Sequence, residues 1–293
     1  MKPRNKMEPW MFAGPALVVY IFIVILPILW SLTYSFTDWN GVGRMNFVGL
    51  GNYIKMFDDK TLWIAFRNNI FFMITGTVFQ LLMGLVMAIL LSSIVKGSNL
   101  LRVIYFIPCI VSSMAICKIF EKLLSVQPKG VLAAVTDLLG LAPRAFLSEP
   151  DWALTFVTLI DGYKFCGLYM VIFYSAFMNV SQDVLESAYL DGCNWFQQLI
   201  YIKFPLIKNI FFMVLIILVN GCLKGFDVSY ILTKGGPGNA SELVSTYMYK
   251  TAFSMSKFGY GSTLGVFIMI ESLTAVGIVR LIQKMTADRE EQG

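Results

Sequence analysis

Glu186-Ser187-Ala188-Tyr189-Leu190-Asp191-Gly192-Cys193, followed by Ile202, Phe204 and Pro205, is a polar, helix-forming insert between two long apolar segments. Water-facing loops of membrane proteins are seldom built this way. Over residues 181–208, Ser181 can cap a helix whose positive end suits Asp183 and Glu186, and Gly192 can end it in a left-handed conformation. Val184 with Ala188 and Leu185 with Tyr189 share an apolar face at i,i+4. Asn194 can cap a second short helix, in which Trp195 with Leu199 and Phe196 with Ile200 repeat the spacing. Pro205 removes a backbone donor and limits continuation into the apolar segment beyond it. Two amphipathic helices joined at a glycine bend are expected, and periodicity alone fits an interfacial hairpin lying on a membrane leaflet.

The solvent for the rest of the chain is lipid. Of 293 residues 57% are hydrophobic and 14% charged, and mean hydropathy is +0.69. Soluble domains carry about 25% charged residues, so too few charges exist to cover a water-exposed globule. Runs free of Lys, Arg, Asp and Glu cover 9–37, 68–95, 103–117, 165–182 and 209–223, and 258–279 is broken only by Glu271. A bilayer-crossing helix needs roughly 20 mostly apolar residues. The expectation is an all-α, polytopic membrane protein occupying 1–293 as one domain. Its six transmembrane helices fall near 11–36, 67–94, 101–122, 152–180, 209–232 and 259–285. The third has the shortest clean run and carries Lys118 near one end. A β-barrel is excluded because the runs are continuous rather than alternating.

Several other classes drop out. The first apolar run ends in Tyr34, Phe36 and Trp39 without a small-residue cleavage site, which fits an uncleaved span with an aromatic belt rather than a signal peptide. The tail from Met285 is short and charged, and no regulatory domain is expected after it. The chain has no histidine, and Cys109, Cys117, Cys166, Cys193 and Cys222 form no C-x-x-C pair. They read as small buried hydrophobes, and no metal site is expected. No phosphate-loop motif is present, so no bound nucleotide or other cofactor is expected. Gly235-Gly236-Pro237-Gly238 reads as a turn, and 131–139 as a short helix in the loop 123–151. A net charge of +5 does not suggest nucleic acid.

The insert resembles the cytoplasmic EAA loop of permease subunits of ATP-binding-cassette importers, E-A-A-x-x-D-G-A followed by I-x-L-P. Glu186, Ala188, Asp191, Gly192, Ile202 and Pro205 match that pattern; Ser187, Cys193 and Phe204 replace Ala, Ala and Leu. Other segments are similar to carbohydrate-type permeases in the same order. They include Gly14-Pro15, Gly49-Leu50-Gly51-Asn52-Tyr53, Arg102 to Pro108, Leu232 to Pro237, and Tyr247 through Phe258-Gly259-Tyr260-Gly261. The resemblance implies a permease subunit of a sugar importer that catalyses nothing itself. Its implied partners are a second permease subunit, two cytosolic ATP-binding subunits, an extracytoplasmic substrate-binding protein and a carbohydrate. It also fixes the orientation, both termini cytoplasmic in the cell membrane, which lysine and arginine counts alone do not: Lys2, Arg4, Lys6, Lys96 and Arg102 favour it, but outer loops carry comparable charge.

Ionisable groups within spans are costly in lipid and normally face a cavity or a partner. Asp161 and Lys164 lie at i,i+3, close enough to pair, with Tyr163 and Tyr169 nearby. Asn220, Lys224 and Asp227 fall at i, i+4, i+7, one polar stripe on the fifth span. Together Tyr163, Lys164, Asn220, Lys224 and Asp227 are the candidate substrate pathway, since amide, ammonium and carboxylate bind vicinal hydroxyls and aromatic faces cover sugar rings. The competing use of these groups is pairing with one another or with the second permease. Glu271 is expected to make a packing hydrogen bond within the sixth span. A phosphorylated polyol or phosphodiester could instead meet Lys164 or Lys224, and an ion-coupled secondary transporter could use Asp161, Asp227 or Glu271. An intramembrane hydrolase would need a nucleophile with a base, and no histidine is available.

Overall fold

The computed structural model describes residues 8–93 and 97–291. In chain order the elements are α1 (Glu8–Tyr20), a π-helical turn (Ile21–Ile25), α2 (Leu26–Tyr34), β1 (Thr37–Asp38), β2 (Asn46–Phe47), α3 (Gly51–Asp58), α4 (Lys60–Ser92) and α5 (Ser98–Ile110). They continue with α6 (Ser113–Leu124), α7 (Val131–Leu138), α8 (Pro150–Met178), α9 (Gln182–Leu190), α10 (Trp195–Gln198), a second π turn (Leu199–Lys203) and α11 (Phe204–Leu206). Last come α12 (Lys208–Leu223), α13 (Asp227–Leu232), α14 (Val244–Tyr249), a third π turn (Lys250–Ser254) and α15 (Phe258–Glu291). The fold is all-α; β1 and β2 only pair Thr37 with Phe47 and Asp38 with Asn46. Lys2, Arg4, Lys6 and Lys96 lie outside the described residues.

Among the described residues, five stretches are long and apolar enough to cross a bilayer: Ala13–Tyr34, Lys60–Ser92, Pro150–Met178, Lys208–Leu232 and Phe258–Ala287. The span expected near 101–122 is not one straight helix. α5 and α6 meet at 96°, because Val111 and Ser112 adopt extended backbone with ψ of 140° and 137°. Pro108 has already removed a donor from the last turn of α5. The apolar run continues through the corner, so hydropathy reads a single helix where the backbone turns. The short helix expected at 131–139 forms as α7, and Gly235 (φ +77°) sits in the expected turn. All five cysteines are free thiols.

The chain divides into two compact units, one of residues up to Lys60 with Tyr247–Met269, the other of Thr61–Thr246 with residues from Ile270 onward. In the first, the buried Asn52 donates to the carbonyls of Ser35 and Thr37 at 2.9 Å each. Thr263 also donates to Ser35 O, at 3.2 Å, and Gly259 N–H to Trp39 O at 3.0 Å. Asp59 Oδ2 accepts from the phenols of Tyr247 at 2.5 Å and Tyr260 at 2.6 Å. Gly49–Tyr53 and Tyr247–Gly261, far apart in sequence, are thereby both tied to the segment Ser35–Trp39.

In the second unit α8 is buried along most of its length. Tyr169, Met170, Phe173 and Phe177 pack with Ala88 and Leu91 of α4, Leu199, and Val214 and Leu218 of α12. Further along, Val157 and Ile160 join Phe72, Ile116, Cys222 and Val228. Gly167 sets how closely α5 approaches: a Cβ there would overlap the Tyr105 carbonyl oxygen and come within 3.1 Å of Phe106 Cα. That contact is backbone against backbone, with no side chain able to yield. Gly167→Leu is expected to lower stability by about 1–3 kcal/mol, the range for overpacked sites, read as a drop in the unfolding temperature of the detergent-solubilised chain.

Candidate functional site

A cavity of about 300 Å³ opens in the second unit where two helices break. α4 contributes Gln80, the α5–α6 corner Ser113, and α8 Asp161, Phe165 and Tyr169. The end of α12 adds Cys222, the non-helical turn before α13 adds Lys224 and Phe226, and the first residue of α13 adds Asp227. Its polar groups are linked. Gln80 Nε2 donates to Asp161 Oδ2 at 3.3 Å, and Ser113 Oγ to Asp227 Oδ2 at 3.2 Å. Lys164 Nζ donates in turn to Ser113 Oγ, so an ammonium, a hydroxyl and a carboxylate form one chain from α8 through α6 to α13. Phe226 stacks on Tyr230 with centroids 5.0 Å apart and planes at 15°, presenting a fixed aromatic surface at the rim.

The expected pathway residues are partly brought together. Lys224 and Asp227 line the cavity, but not as a helical stripe. α12 ends at Leu223 and Lys224 is its C-cap (φ −96°, ψ 5°); Gly225 and a non-helical Phe226 (φ −136°, ψ −57°) separate it from α13. The i, i+4, i+7 count assumed a continuous helix, and Asn220, one turn earlier, lies outside the lining. Asp161 and Lys164 do not pair with each other; Asp161 turns to Gln80 and the buried Lys164 to Ser113. Tyr163 is 45% exposed, edge-on to Phe120 at 5.3 Å, and not in the lining; Tyr169 is. Gln80, Ser113, Phe165 and Phe226 carry no charge, so the cost of ionisation in lipid does not single them out in the sequence, although a lone glutamine inside the apolar run 68–95 is a usable signal.

Glu271 makes its packing hydrogen bond to another span rather than within its own: Asn69 Nδ2 donates to Glu271 Oε1 at 3.0 Å and to Leu223 O at 3.3 Å. It does not line the cavity.

The 181–208 segment has the expected shape. α9 ends in a Schellman motif, with Cys193 N–H on Ala188 O at 2.9 Å and Gly192 N–H on Tyr189 O at 3.0 Å. Gly192 supplies the left-handed residue it requires, with φ +86°. Asn194 then caps α10 reciprocally with Gln197, at 2.9 and 2.8 Å. Ser181 occupies the N-cap position of α9 without a side-chain bond, and Pro205 sits in the first turn of α11, where its missing N–H costs little. Glu186, Asp191, Gly192 and Pro205 are exposed, Ile202 is half-buried and Ala188 is buried. Desolvation holds the Lys203 ammonium below the usual lysine range. The expected apolar face is only partly covered by this chain: Ala188 and Leu199 are buried, but Val184, Tyr189, Trp195, Phe196 and Ile200 are exposed, as are the neighbouring Leu190 and Tyr201. Beside Glu186 lies a groove of about 440 Å³, lined also by Leu185, Tyr189, Leu190 and Gln198.

Over residues 80–287 the chain matches the family described as the binding-protein-dependent transport system inner membrane component. It is 30% identical over 278 residues to the probable ABC transporter permease protein YurN of Bacillus subtilis (strain 168), covering 93% of this chain and 94% of that one. It is 26% identical over 288 residues to the probable starch degradation products transport system permease protein AmyD of Thermoanaerobacterium thermosulfurigenes, covering 98% and 96%. In fold it is similar to a chain of a bacterial alginate ABC transporter solved in complex with an alginate pentasaccharide-bound periplasmic protein, with a TM-score of 0.84, 18% identity and 94% of each chain covered.

The reciprocal cap makes a local prediction. Asn194→Ala is expected to cost about 1 kcal/mol, seen as roughly fivefold faster amide exchange over residues 195–198 with exchange in α8 unchanged. Equal protection in both proteins would mean that the cap does not hold α10.

Proposed function

The chain belongs to the binding-protein-dependent transport system inner membrane component family, and on that footing we propose that it is one of two permease subunits of an ATP-driven importer of a di- or oligosaccharide. The observation that carries the substrate reading is the cavity at the two helix breaks. It offers an amide, a hydroxyl, carboxylates and an ammonium beside the rings of Phe165, Tyr169 and Phe226, the mixture that hydroxyl-rich rings require. Lys164 and Lys224 offset Asp161 and Asp227, so the site favours a neutral cargo over the phosphorylated polyol or phosphodiester. The starch-product relative supports the same class. A secondary transporter reading loses support from the family match, and Glu271, one of its three candidate carriers, is engaged with Asn69 away from the cavity.

The same proposal makes 181–208 the coupling loop. Glu186, Asp191 and Gly192 meet the cytosolic ATPases, and Ala188, Ile202 and Pro205 hold the loop's shape. The uncovered aromatic and aliphatic side chains support this, because apolar patches of this kind mark protein contact sites. In this reading both termini are cytosolic, an extracytoplasmic binding protein delivers the sugar, and the whole of 1–293 acts as one permease domain. Closure of the ATPases would shift α9 and α10 and reorient the spans around the cavity.

Two experiments test these roles. Asp227→Ala and Gln80→Ala, in transporters reconstituted with binding protein and ATPases, are expected to cut uptake at least about tenfold, the scale of one lost hydrogen bond to a charged group, without changing the binding protein's affinity. Normal uptake kinetics in both would remove the cavity from the pathway. For coupling, a cysteine introduced as Ser187→Cys, or the native Cys193, is expected to crosslink to an ATPase subunit in the assembled complex. Failure to capture either position would reject the loop assignment.

A further inference from the structure

A second feature of the same unit has no role in transport as described above. The start of α12 and the last turns of α15 enclose a groove of about 890 Å³, lined by Lys208, Arg280 and Lys284, with Pro205, Gly277 and Leu281 among its apolar walls. Among the described side chains no aspartate or glutamate lines it, and neither Arg280 nor Lys284 enters an ion pair. Lys208 Nζ donates to Thr286 O at 3.2 Å, tying the start of α12 to α15. The level of these cations is set by the sequence. Lys208 immediately precedes the apolar run 209–223, and Arg280 immediately follows the run 258–279. Lys208 and Arg280 therefore stand where hydrocarbon gives way to headgroups, with Lys284 one turn beyond Arg280.

We propose that this groove binds the headgroup of an anionic phospholipid, its phosphate held by Arg280, Lys208 and Lys284 and an acyl chain descending over Gly277. A guanidinium grips phosphate oxygens in bidentate fashion and the two ammonium groups add point charge. Basic pockets between membrane helices suit acidic headgroups. Gly277, one turn before Arg280, leaves the floor open: a Cβ there would meet nothing within 4 Å. The lipid, rather than a free phosphate, fits because the groove continues onto exposed apolar surface at Leu273, Ile278 and Leu281. The proposal rests on the chain being a multi-pass membrane protein and is independent of the sugar and ATPase roles.

The detergent-solubilised full chain can be titrated with fluorescent phosphatidylglycerol and with phosphatidylcholine of the same acyl composition, following anisotropy. Preference for phosphatidylglycerol is expected, falling about fivefold for each cation removed in Arg280→Gln and Lys284→Gln. Gly277→Leu keeps every charge and fills the floor, and should also expel the lipid. In the unmodified chain the preference should weaken between roughly 0.1 and 1 M salt, as the screening length shortens. Equal affinity for the two lipids, salt-insensitive binding, or a preference retained in the charge variants would overturn the proposal. Displacement by equimolar glycerol phosphate would identify a soluble phosphate site instead. Loss of the lipid when ATPase subunits are added would assign the groove to a protein partner, and the lipid site would be rejected.

Discussion

A peptide group in hydrocarbon must find its hydrogen-bond partner within the protein. That constraint organises the second unit, because two of its apolar segments interrupt their own helices. The freed groups at the α12 break are met by side chains from other elements: Asn69 donates to Leu223 O, and Ser245 Oγ to Gly225 O. The neighbouring Asn68 donates to the carbonyls of Asn239, Ala240 and Glu242, holding the loop that follows α13. Two adjacent asparagines on α4 thus hold both the break and the loop beyond it. Both breaks border the cavity. Irregular backbone at membrane depth is tolerated where it lines such a space, and here the departures from helix expose the carboxylate of Asp227 and the ring of Phe226.

The two-charge, two-countercharge arrangement around that space follows from the same geometry. Had α12 continued, Lys224 and Asp227 would have lain along one helix face. The interruption instead places Asp227 within reach of Ser113 on the other broken segment. Lys164 approaches the same hydroxyl from α8. A single serine at a helix corner therefore links segments that lie 51 and 114 residues further along the sequence.

How much was readable in advance depended on the range of the interaction involved. The 181–208 segment was legible nearly residue by residue, since caps and a left-handed glycine act over four or five positions and the chain carries their donors and acceptors locally. Apolar runs likewise located the spans. The 96° corner at Val111-Ser112 was not legible, because hydropathy is indifferent to direction and both arms remain apolar. The same blindness produced the false helical stripe at Asn220, Lys224 and Asp227: periodicity counts residues and assumes that the helix persists. Asp161 and Lys164 satisfied a spacing rule for pairing, yet each found a nearer partner on another element. Tyr163 and Tyr169 were equivalent in sequence, and only the rotation of α8 distinguishes the exposed ring from the one at the cavity.

The meeting of α5 and α8 at Gly167 limits how this unit can rearrange. Side-chain interfaces absorb motion by exchanging rotamers, but a bare glycine against the Tyr105 carbonyl offers no rotamer to exchange. The two helices share, at that point, the degrees of freedom of one body. Any reorientation that preserves the contact must carry α5 with α8 and concentrate its change of angle at a place where backbone is already free of helical bonding. The extended pair Val111-Ser112, one residue past the end of α5, is such a place. The bend is then a joint, and the glycine is what keeps the arm on one side of it stiff.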